Sequence, residues 1–454
     1  MKKLTTFAGI FIFATLLLVA HSAQAQEESK ADQKAAKKAQ RDEYWKNFRA
    51  YDKTGINVFE PAKEVPAAFD KVRVRVGAGF TQQFQNLEHS NGGQAGNNFL
   101  YPMTSGFNTA AANLYLDAML YEGIRLNLTS YLSSRHHNET WVKGGFIQID
   151  KIPFKGKFFE EVSKIATIKA GHFELNYGDA HYRRSDGGHA LYNPFMESYL
   201  IDGFDTQIGA EIYLQKNGFM GMVGVSNGQI KGNIDANAKD AEGKEIKKTP
   251  AVFFKGAFDK QIDEKLRIRA SASYYYSASS PRNTLFWGDR TGSNYFMVME
   301  PEKVAGAKNS ATSAAWSGRI NPNMTRKLAA MQLNGFIKYA GLELFGTIEN
   351  LKGRSAAETA DRKLKQYAID GVYRIGKKEN LFVGARYNTM NGDLATNMKD
   401  VTVNRVALAG GWFLTNNILL KAEIVNQQYK GFSTADIRSN GKFNGYVFEA
   451  IVGF

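Results

Sequence analysis

Residues 178–195, with the sequence GDAHYRRSDGGHALYNPF, hold the side chains of this chain that are most capable of chemistry. Two histidines, two aspartates, a serine and an adjacent pair of arginines stand within eighteen residues that include few aliphatic side chains: Asp179, His181, Arg183, Arg184, Ser185, Asp186 and His189. What this stretch does depends on the elements that position it.

Neither a metal site nor a hydrolase is well supported by the spacing of these residues. A metal site would use His181 and His189 with Asp179 or Asp186, but this spacing matches no compact ligand motif. A hydrolase would need Ser185 with a histidine and an acid, yet no strand–turn–helix pattern of a nucleophile elbow surrounds it. We therefore expect no enzymatic activity and no cofactor.

The arginine pair has two further roles open to it, and they are compatible with each other. Arg183 and Arg184 could contact an anionic solute directly. They could also pair with Asp186 or with surrounding protein and hold the segment in place. Both roles need a wall around the segment, so the rest of the chain has to be considered.

The N-terminus predicts export. Lys2 and Lys3 precede an apolar run, and an Ala-Gln-Ala motif ends at Ala25, so residues 1–25 are predicted to be a secretory signal peptide. The chain has no cysteine, which excludes disulfides, thiolate chemistry and a lipoprotein anchor. An exported chain with a formal net charge of +14 does not meet nucleic acid, so anionic solutes and the anionic lipid A of lipopolysaccharide are the expected partners.

Alternation of apolar and polar residues is the dominant pattern after the signal peptide. VRVRVGAGF at 72–80, GIRLNLTSYL from 123 and KLRIRASASYYY from 265 each place apolar residues on one face and polar residues on the other. A soluble β-sandwich also alternates in this way. Strands of about ten residues with a lipid face and a water face are the signature of a transmembrane β-barrel.

The spacing of the turns favours the barrel. We count about 16 strands, and tight links (YEG, KNG, QIDEK, AG, GKKEN and LTNN) alternate with longer ones, with residues 152–164 as the exception. The longest link, 278–328, has about fifty residues. The predicted architecture is therefore all-β: a transmembrane antiparallel β-barrel of about 16 strands that spans residues 71–454.

Residues 26–70 differ in kind from the barrel. They are charged and Ala-rich up to Tyr44, Trp45 and Phe48, a pattern that predicts a helix of marginal stability. We expect a short periplasmic extension, which is either a solvated tail or an element that contacts peptidoglycan, a partner or the barrel mouth.

Two segments resemble known outer-membrane proteins. The C-terminal NGYVFEAIVGF alternates and ends on Phe454, and it resembles the terminal β-signal that directs barrel assembly. The hairpin Val406–Gln427, VALAGGWFLTNNILLKAEIVNQ, resembles the late hairpins of the phosphate-selective porin family. This resemblance implies a trimeric porin in the outer membrane. The phosphate-binding lysines and arginines of that family do not align here, so phosphate selectivity is not carried over.

The barrel topology gives the opening stretch a location. If the last strand ends in the periplasm, an even strand number places both barrel ends there, and residues 175–204 become the third outer loop. In the porins that this chain resembles, the third loop folds inward and narrows the pore. We therefore expect a pore constriction formed by Asp179, His181, Arg183, Arg184, Asp186 and His189.

Strand parity also predicts which charged residues line the pore wall. Six acidic residues fall on the polar face: Asp117, Glu211, Glu343, Glu349, Asp370 and Glu423. Eleven basic residues share that face: Arg73, Arg75, Arg125, Lys169, Arg267, Arg269, Lys338, Arg374, Arg386, Arg405 and Lys421. A positive excess in a water-filled lumen raises the local concentration of anions.

These observations predict a porin that lets small hydrophilic solutes cross the outer membrane passively, with a weak preference for anions. The alternative is a non-conducting barrel that acts as a scaffold or subunit of an outer-membrane complex, for which residues 26–70 would be the docking element. An outer-membrane hydrolase rests only on the histidine-containing loop.

Overall fold

The strands of this protein have an apolar outer face and a polar inner face. In the first strand Val74, Val76 and Phe80 are 57, 56 and 46% exposed, whereas Thr81 and Gln83 are buried. The same arrangement, with apolar side chains outside and polar side chains inside, continues around the sheet, where Ile424 is 64% and Phe448 is 51% exposed. A continuous apolar outer surface of this kind is stable against lipid rather than water.

Sixteen strands form the sheet. The computed structural model describes residues 44–454 apart from 65, 93–97, 134–138, 290 and 311–315, and Arg49–Phe454 form one compact unit. The predicted signal peptide and residues 26–43 of the predicted extension lie outside the described residues. The strands are β1 Arg73–Ser90, β2 Ala111–Tyr121, β3 Ile124–Leu132, β4 Trp141–Ile149, β5 Ala166–Glu174, β6 Thr206–Lys216, β7 Phe219–Ser226, β8 Ala251–Gln261, β9 Leu266–Ser277, β10 Lys327–Tyr339, β11 Leu342–Arg354, β12 Arg362–Ile375, β13 Leu381–Gly392, β14 Val401–Thr415, β15 Ile418–Lys430 and β16 Lys442–Gly453.

The sheet closes on itself. Each strand pairs antiparallel with the next, and β16 returns to β1 in a register that runs from Gly79 opposite Gly453 to Ser90 opposite Lys442. Closure leaves no strand edge without hydrogen-bonding partners. The prediction of an all-β antiparallel barrel of about 16 strands is confirmed. Two short pairings are added, Gly106–Phe107 with β1 and Lys303–Val304 with Ala307–Lys308.

Tight turns lie at one end of the barrel, which we call the turn end. Strand β1 begins at this end and β16 finishes there. Asn217 and Gly218 connect β6 to β7 with φ values of 54° and 85°, as a two-residue hairpin of this kind requires. The longer link between β4 and β5 contains the seven-residue helix α1, Lys157–Ser163. Among the described residues no helix is long and apolar enough to cross a membrane.

The opposite end, the loop end, carries the long connections. The third of these, residues 175–205, includes a 3-10 turn at Ala180–Arg183, and the fifth, residues 278–326, is the longest. Both contribute fully buried side chains, among them Phe195, Leu200 and Tyr295. Burial of this extent places parts of both loops inside the barrel.

Candidate pore constriction

The third loop, residues 175–205, crosses the barrel interior and is held by opposite walls. On one side Thr81 of β1 donates a hydrogen bond to the Gly188 carbonyl at 2.9 Å. Nearby on the same side Arg386 and Arg405 donate to the carbonyls of Glu197 and Ser198, both at 2.7 Å. On the opposite side Ser273 of β9 accepts a hydrogen bond from the backbone N–H of Gly178 at 2.9 Å. The loop therefore crosses the barrel interior between β9 and the wall formed by β13, β14 and β1.

Basic wall residues satisfy the backbone of this loop. Lys421 donates to the carbonyls of Ala190, Asn193 and Phe195 at 3.2, 3.0 and 3.0 Å. A buried loop without regular structure needs partners for its backbone polar groups. These wall cations consequently position the loop as well as charge the lumen.

Arg184 joins the third loop to the fifth. Its guanidinium contacts Asp186 at 2.9 Å, Asp202 at 2.7 Å and Asp289 of the fifth loop at 2.9 Å. Arg319, also of the fifth loop, contacts Asp289 at 2.6 Å and Asp202 at 3.1 Å. Burial alone would raise the pKa of Asp289, but Arg319 and Arg184 hold it well below its usual range. The two loops are thus joined by a buried ionic network.

A second ionic network lies nearer the turn end. Lys255 and Arg269 of the wall both contact Asp179 of the third loop, at 2.8 and 2.7 Å. The same two cations contact Glu60, at 2.9 and 2.7 Å. Burial alone would raise the pKa of Glu60, but Lys255 and Arg269 lower it to about 2.

Glu60 belongs to residues 49–64, here called the N-terminal strap, which enters the turn end of the barrel. Asn57 donates to Glu343 of β11 at 2.6 Å and accepts a hydrogen bond from Arg183. Phe59 is 1% exposed and packs its ring against Phe336, with centroids 5.5 Å apart. The strap forms a 3-10 turn at Lys53–Gly55, and the compact unit that contains the barrel begins at Arg49.

A cleft remains open beside the strap. It has a volume of about 900 Å³ and is lined by Phe59 and Glu60, by α1 and by the wall residues Arg267 and Arg269. We call this cleft the vestibule; Asn217 and Gly218 of the turn end also line it.

The two histidines of the third loop lie in separate surroundings. His181 bonds Glu174 at 2.6 Å and Asn176 at 3.1 Å. His189 bonds the Tyr51 carbonyl at 3.0 Å, and burial lowers its pKa to about 4, which keeps the ring neutral near pH 7. Within the described part of the chain no group of three or more metal-ligating side chains could hold a metal ion.

Ser185 is engaged with backbone and amide groups rather than with a histidine. Its hydroxyl donates to the Met196 carbonyl at 2.7 Å and accepts from the Asn193 amide at 3.1 Å. This geometry brings no base to the hydroxyl, so it offers no activated nucleophile.

Most of the basic residues assigned to the wall are paired with acids. All eleven lie on the inner side of their strands, and ten are within 4.0 Å of a carboxylate: Arg73 with Asp70, Arg75 with Asp117, Arg125 with Asp150, Lys169 with Glu211, Arg267 with Asp259, Arg269 with Asp179, Lys338 with Glu379, Arg374 with Glu343, Arg386 with Asp370 and Lys421 with Glu449. Arg405 instead donates to Gln427 and to two carbonyl oxygens.

Parity of the strands missed several charged residues of the lumen. Lys143 and Lys255 are buried bases, and Asp150, Asp259 and Glu449 face the same interior. The register shift between β3 and β4 hides Lys143 from a simple alternation. Lys255 and Glu449 follow the alternation of their strands, so the signal for them was present.

Comparisons with known proteins support the fold. No family model matches the sequence, and no curated protein matches it. Among solved structures, the anion-selective porin from Comamonas acidovorans superposes with a TM-score of 0.52 and 10% identity over 85% of this chain and 100% of that one. The outer membrane channel DcaP of Acinetobacter baumannii gives a TM-score of 0.49 and 10% identity, over 86% and 100%. The first of these likenesses shows a porin-like β-barrel fold, and the match to the phosphate-selective family stays a resemblance of one hairpin.

Proposed function

We propose that this protein is an outer-membrane porin that lets small hydrophilic solutes diffuse passively through the barrel, with a weak preference for anions. The observation that carries this proposal is the third loop, which crosses the interior of a closed barrel and is bonded to the wall on both sides. A loop in this position sets the width of the pore.

The charge pattern of the lumen supports a weak preference. Ten of the eleven assigned wall cations are close to carboxylates, so each acts on a passing ion largely as part of a dipole. Arg405 bonds neutral groups, and Lys421 bonds three carbonyls besides Glu449. We therefore expect a preference for anions that is weaker than the bare count of bases predicts.

Constriction residues and partners complete the proposal. Within the constriction, Arg183 and Arg184 act mainly as braces, because their recorded contacts are with the loops, the strap and the wall. Small anionic or polar solutes are the cargo, the lipid-facing band contacts outer-membrane lipid and lipopolysaccharide, and the hairpin resemblance supports a homotrimer.

A non-conducting scaffold barrel is the second candidate. The specific observation behind it is the amount of protein inside the barrel, where the third loop, the fifth loop and the N-terminal strap all contribute buried residues. A scaffold would use this packing for rigidity instead of a gap for solutes.

Planar-bilayer recording of the purified full-length protein tests the proposal. A porin should give repeated current steps of one size in 1 M KCl, because each open barrel offers ions one path of fixed width. Consistent absence of steps, from protein whose heat-modifiable mobility shows a folded barrel, would contradict the porin and favour the scaffold.

A further inference from the structure

A small cavity lies behind the third loop and is separate from the vestibule. Its volume is about 10 Å³, comparable with the smallest cavities that hold one water molecule. Three arginines are among its lining residues, Arg183, Arg184 and Arg386, and Ser198 and Tyr199 line it as well. One carboxylate, Asp202, also lines it and is paired with Arg184 at 2.7 Å and Arg319 at 3.1 Å.

Several donors at this cavity have no acceptor among the described residues. The Nε and Nη2 atoms of Arg183 are buried without a hydrogen-bond partner, and so is the Ser198 hydroxyl. Arg183 is 2% exposed and Ser198 is 3% exposed, so bulk water does not serve them. A buried donor without a partner costs about 1–3 kcal/mol, more when it is charged.

The charge of Arg183 is also incompletely balanced. Its one close carboxylate in the described structure is Glu343, at 3.6 Å, and Glu343 is already bonded by Arg374 at 2.6 Å. The Nη1 atom of Arg183 bonds the neutral amide oxygen of Asn57. Arg49, which donates to the carbonyl of the adjacent Tyr182 at 2.8 Å, brings a further positive charge.

We propose that this cavity binds one monatomic anion, with chloride as the physiological species. The partnerless atoms of the lining residues are two guanidinium nitrogens and a hydroxyl, while the lining carboxylate of Asp202 is already paired with two arginines, so the site presents donors in excess. An anion accepts all of them, whereas a water molecule accepts two at most and then needs acceptors for its own hydrogens. The guanidiniums offset the cost of removing the ion from water.

The bound anion would fix the third loop against the strap. Arg183 reaches Asn57 of the strap, and Ser198 accepts a hydrogen bond at its carbonyl from Arg405 of the wall, so the ion bridges two parts of the interior. This role does not depend on conduction, and a scaffold barrel could contain the same ion.

Crystals of the wild-type protein grown in sodium bromide test the site directly. We expect one bromide anomalous peak between Arg183 and Ser198. Density there without an anomalous signal would show that water fills the cavity and would overturn the proposal. A non-conducting protein that shows the peak would contradict the proposed porin and leave this site standing.

Thermal unfolding in detergent gives a second measurement. At equal ionic strength, chloride should raise the Tm above its value in gluconate, by roughly 3 °C at about 100 times Kd. Arg183→Gln should lose this halide-specific shift, and Ser198→Ala should reduce it. Arg73→Gln, at the barrel rim beside Asp70, is the control that should keep it. An undiminished shift in Arg183→Gln would overturn the proposal.

Discussion

Arg184 illustrates how one side chain can hold two loops in a lumen. It is 4% exposed and contacts three carboxylates, two of which also contact Arg319. Removing it leaves Asp202 and Asp289 with one shared cation in a buried setting. The cost of breaking such a buried pair is about 3–5 kcal/mol.

Arg184→Ala should therefore loosen the constriction. We expect larger and noisier single-channel currents, because the third and fifth loops are no longer joined. The double variant Arg183→Ala and Arg184→Ala should show the same change in current more strongly. The double variant Arg267→Ala and Arg269→Ala, which removes two arginines of the wall, should instead reduce the preference for anions. Currents of unchanged size and noise in both Arg184 variants would place the loop outside the pore.

His189 should make stability depend on pH. Its pKa in the folded protein is about 4, below the ordinary value of 6.5, because burial disfavours the charged ring. The neutral ring is therefore fully stabilising above pH 6.5, and this contribution, about 3 kcal/mol, is lost as the pH falls through 4. His189→Gln should flatten the unfolding free energy between these two pH values. An identical pH profile in the variant would assign the dependence to another group.

The N-terminal strap shows how an element without helix or strand can have a fixed position. Glu60 and Asn57 contact Lys255, Arg269 and Glu343 of the wall. Apart from the 3-10 turn at Lys53–Gly55, the strap has no helix or strand, so these side-chain contacts take the place of regular backbone hydrogen bonds. We infer that they hold it in the turn-end mouth.

Asn57→Ala with Glu60→Gln should release the strap and raise single-channel conductance. The double variant removes the contact of the Asn57 amide with Glu343 and the negative charge of Glu60. Lys255 and Arg269 then keep Asp179 as their shared carboxylate. Asp70→Asn, an exposed change at the rim, is the matched control. Equal conductance in the three proteins would mean that the strap does not limit ion flow.

The last strand closes the barrel as well as ending the chain. Phe454 exchanges backbone hydrogen bonds with Ala78 of β1, at 2.9 and 3.0 Å, and its ring is 58% exposed on the outer face. Deleting Phe454, or replacing it with a charged residue, should reduce the amount of folded protein in the outer membrane. Heat-modifiable mobility and membrane abundance measure this. Wild-type levels would refute the β-signal interpretation, and the same change at Val452, on the same outer face, serves as a comparison.

At the scale of the whole molecule, charge pairing decides selectivity. A formal net charge of +14 suggests strong anion selectivity, but the lumen cations are mostly paired with carboxylates. The residual positive field that the proposed anion preference requires would have a short range, which salt reduces further.

Reversal potentials in a salt gradient should consequently show a small anion preference that declines as ionic strength rises. The decline should be steep between about 0.1 M and 1 M salt, over which the Debye length falls from about 10 Å to about 3 Å. Recording the reversal potential at a smaller ratio of the two salt concentrations controls for drift of the electrodes. A clear cation preference would mean that the acids of the loops, such as Asp202 and Asp289, dominate the pore.

The sequence by itself determined the barrel. Alternation is a local property of each strand, and tight turns such as Asn217–Gly218 are set by neighbouring residues, so strand number and order could be predicted without knowing any long-range contact. The inner-face position of residues such as Arg267 follows from the same parity. The partners of these residues were decided by the tertiary structure.

Only the fold brings Glu60 to Arg269, Asn57 to Arg183 and Asp289 to Arg184, because each pair joins segments 100 or more residues apart in the chain. Irregular loops and the strap carry no periodicity from which such contacts could be predicted. Their positions depend on which donors and charges the closed wall presents once the barrel has formed.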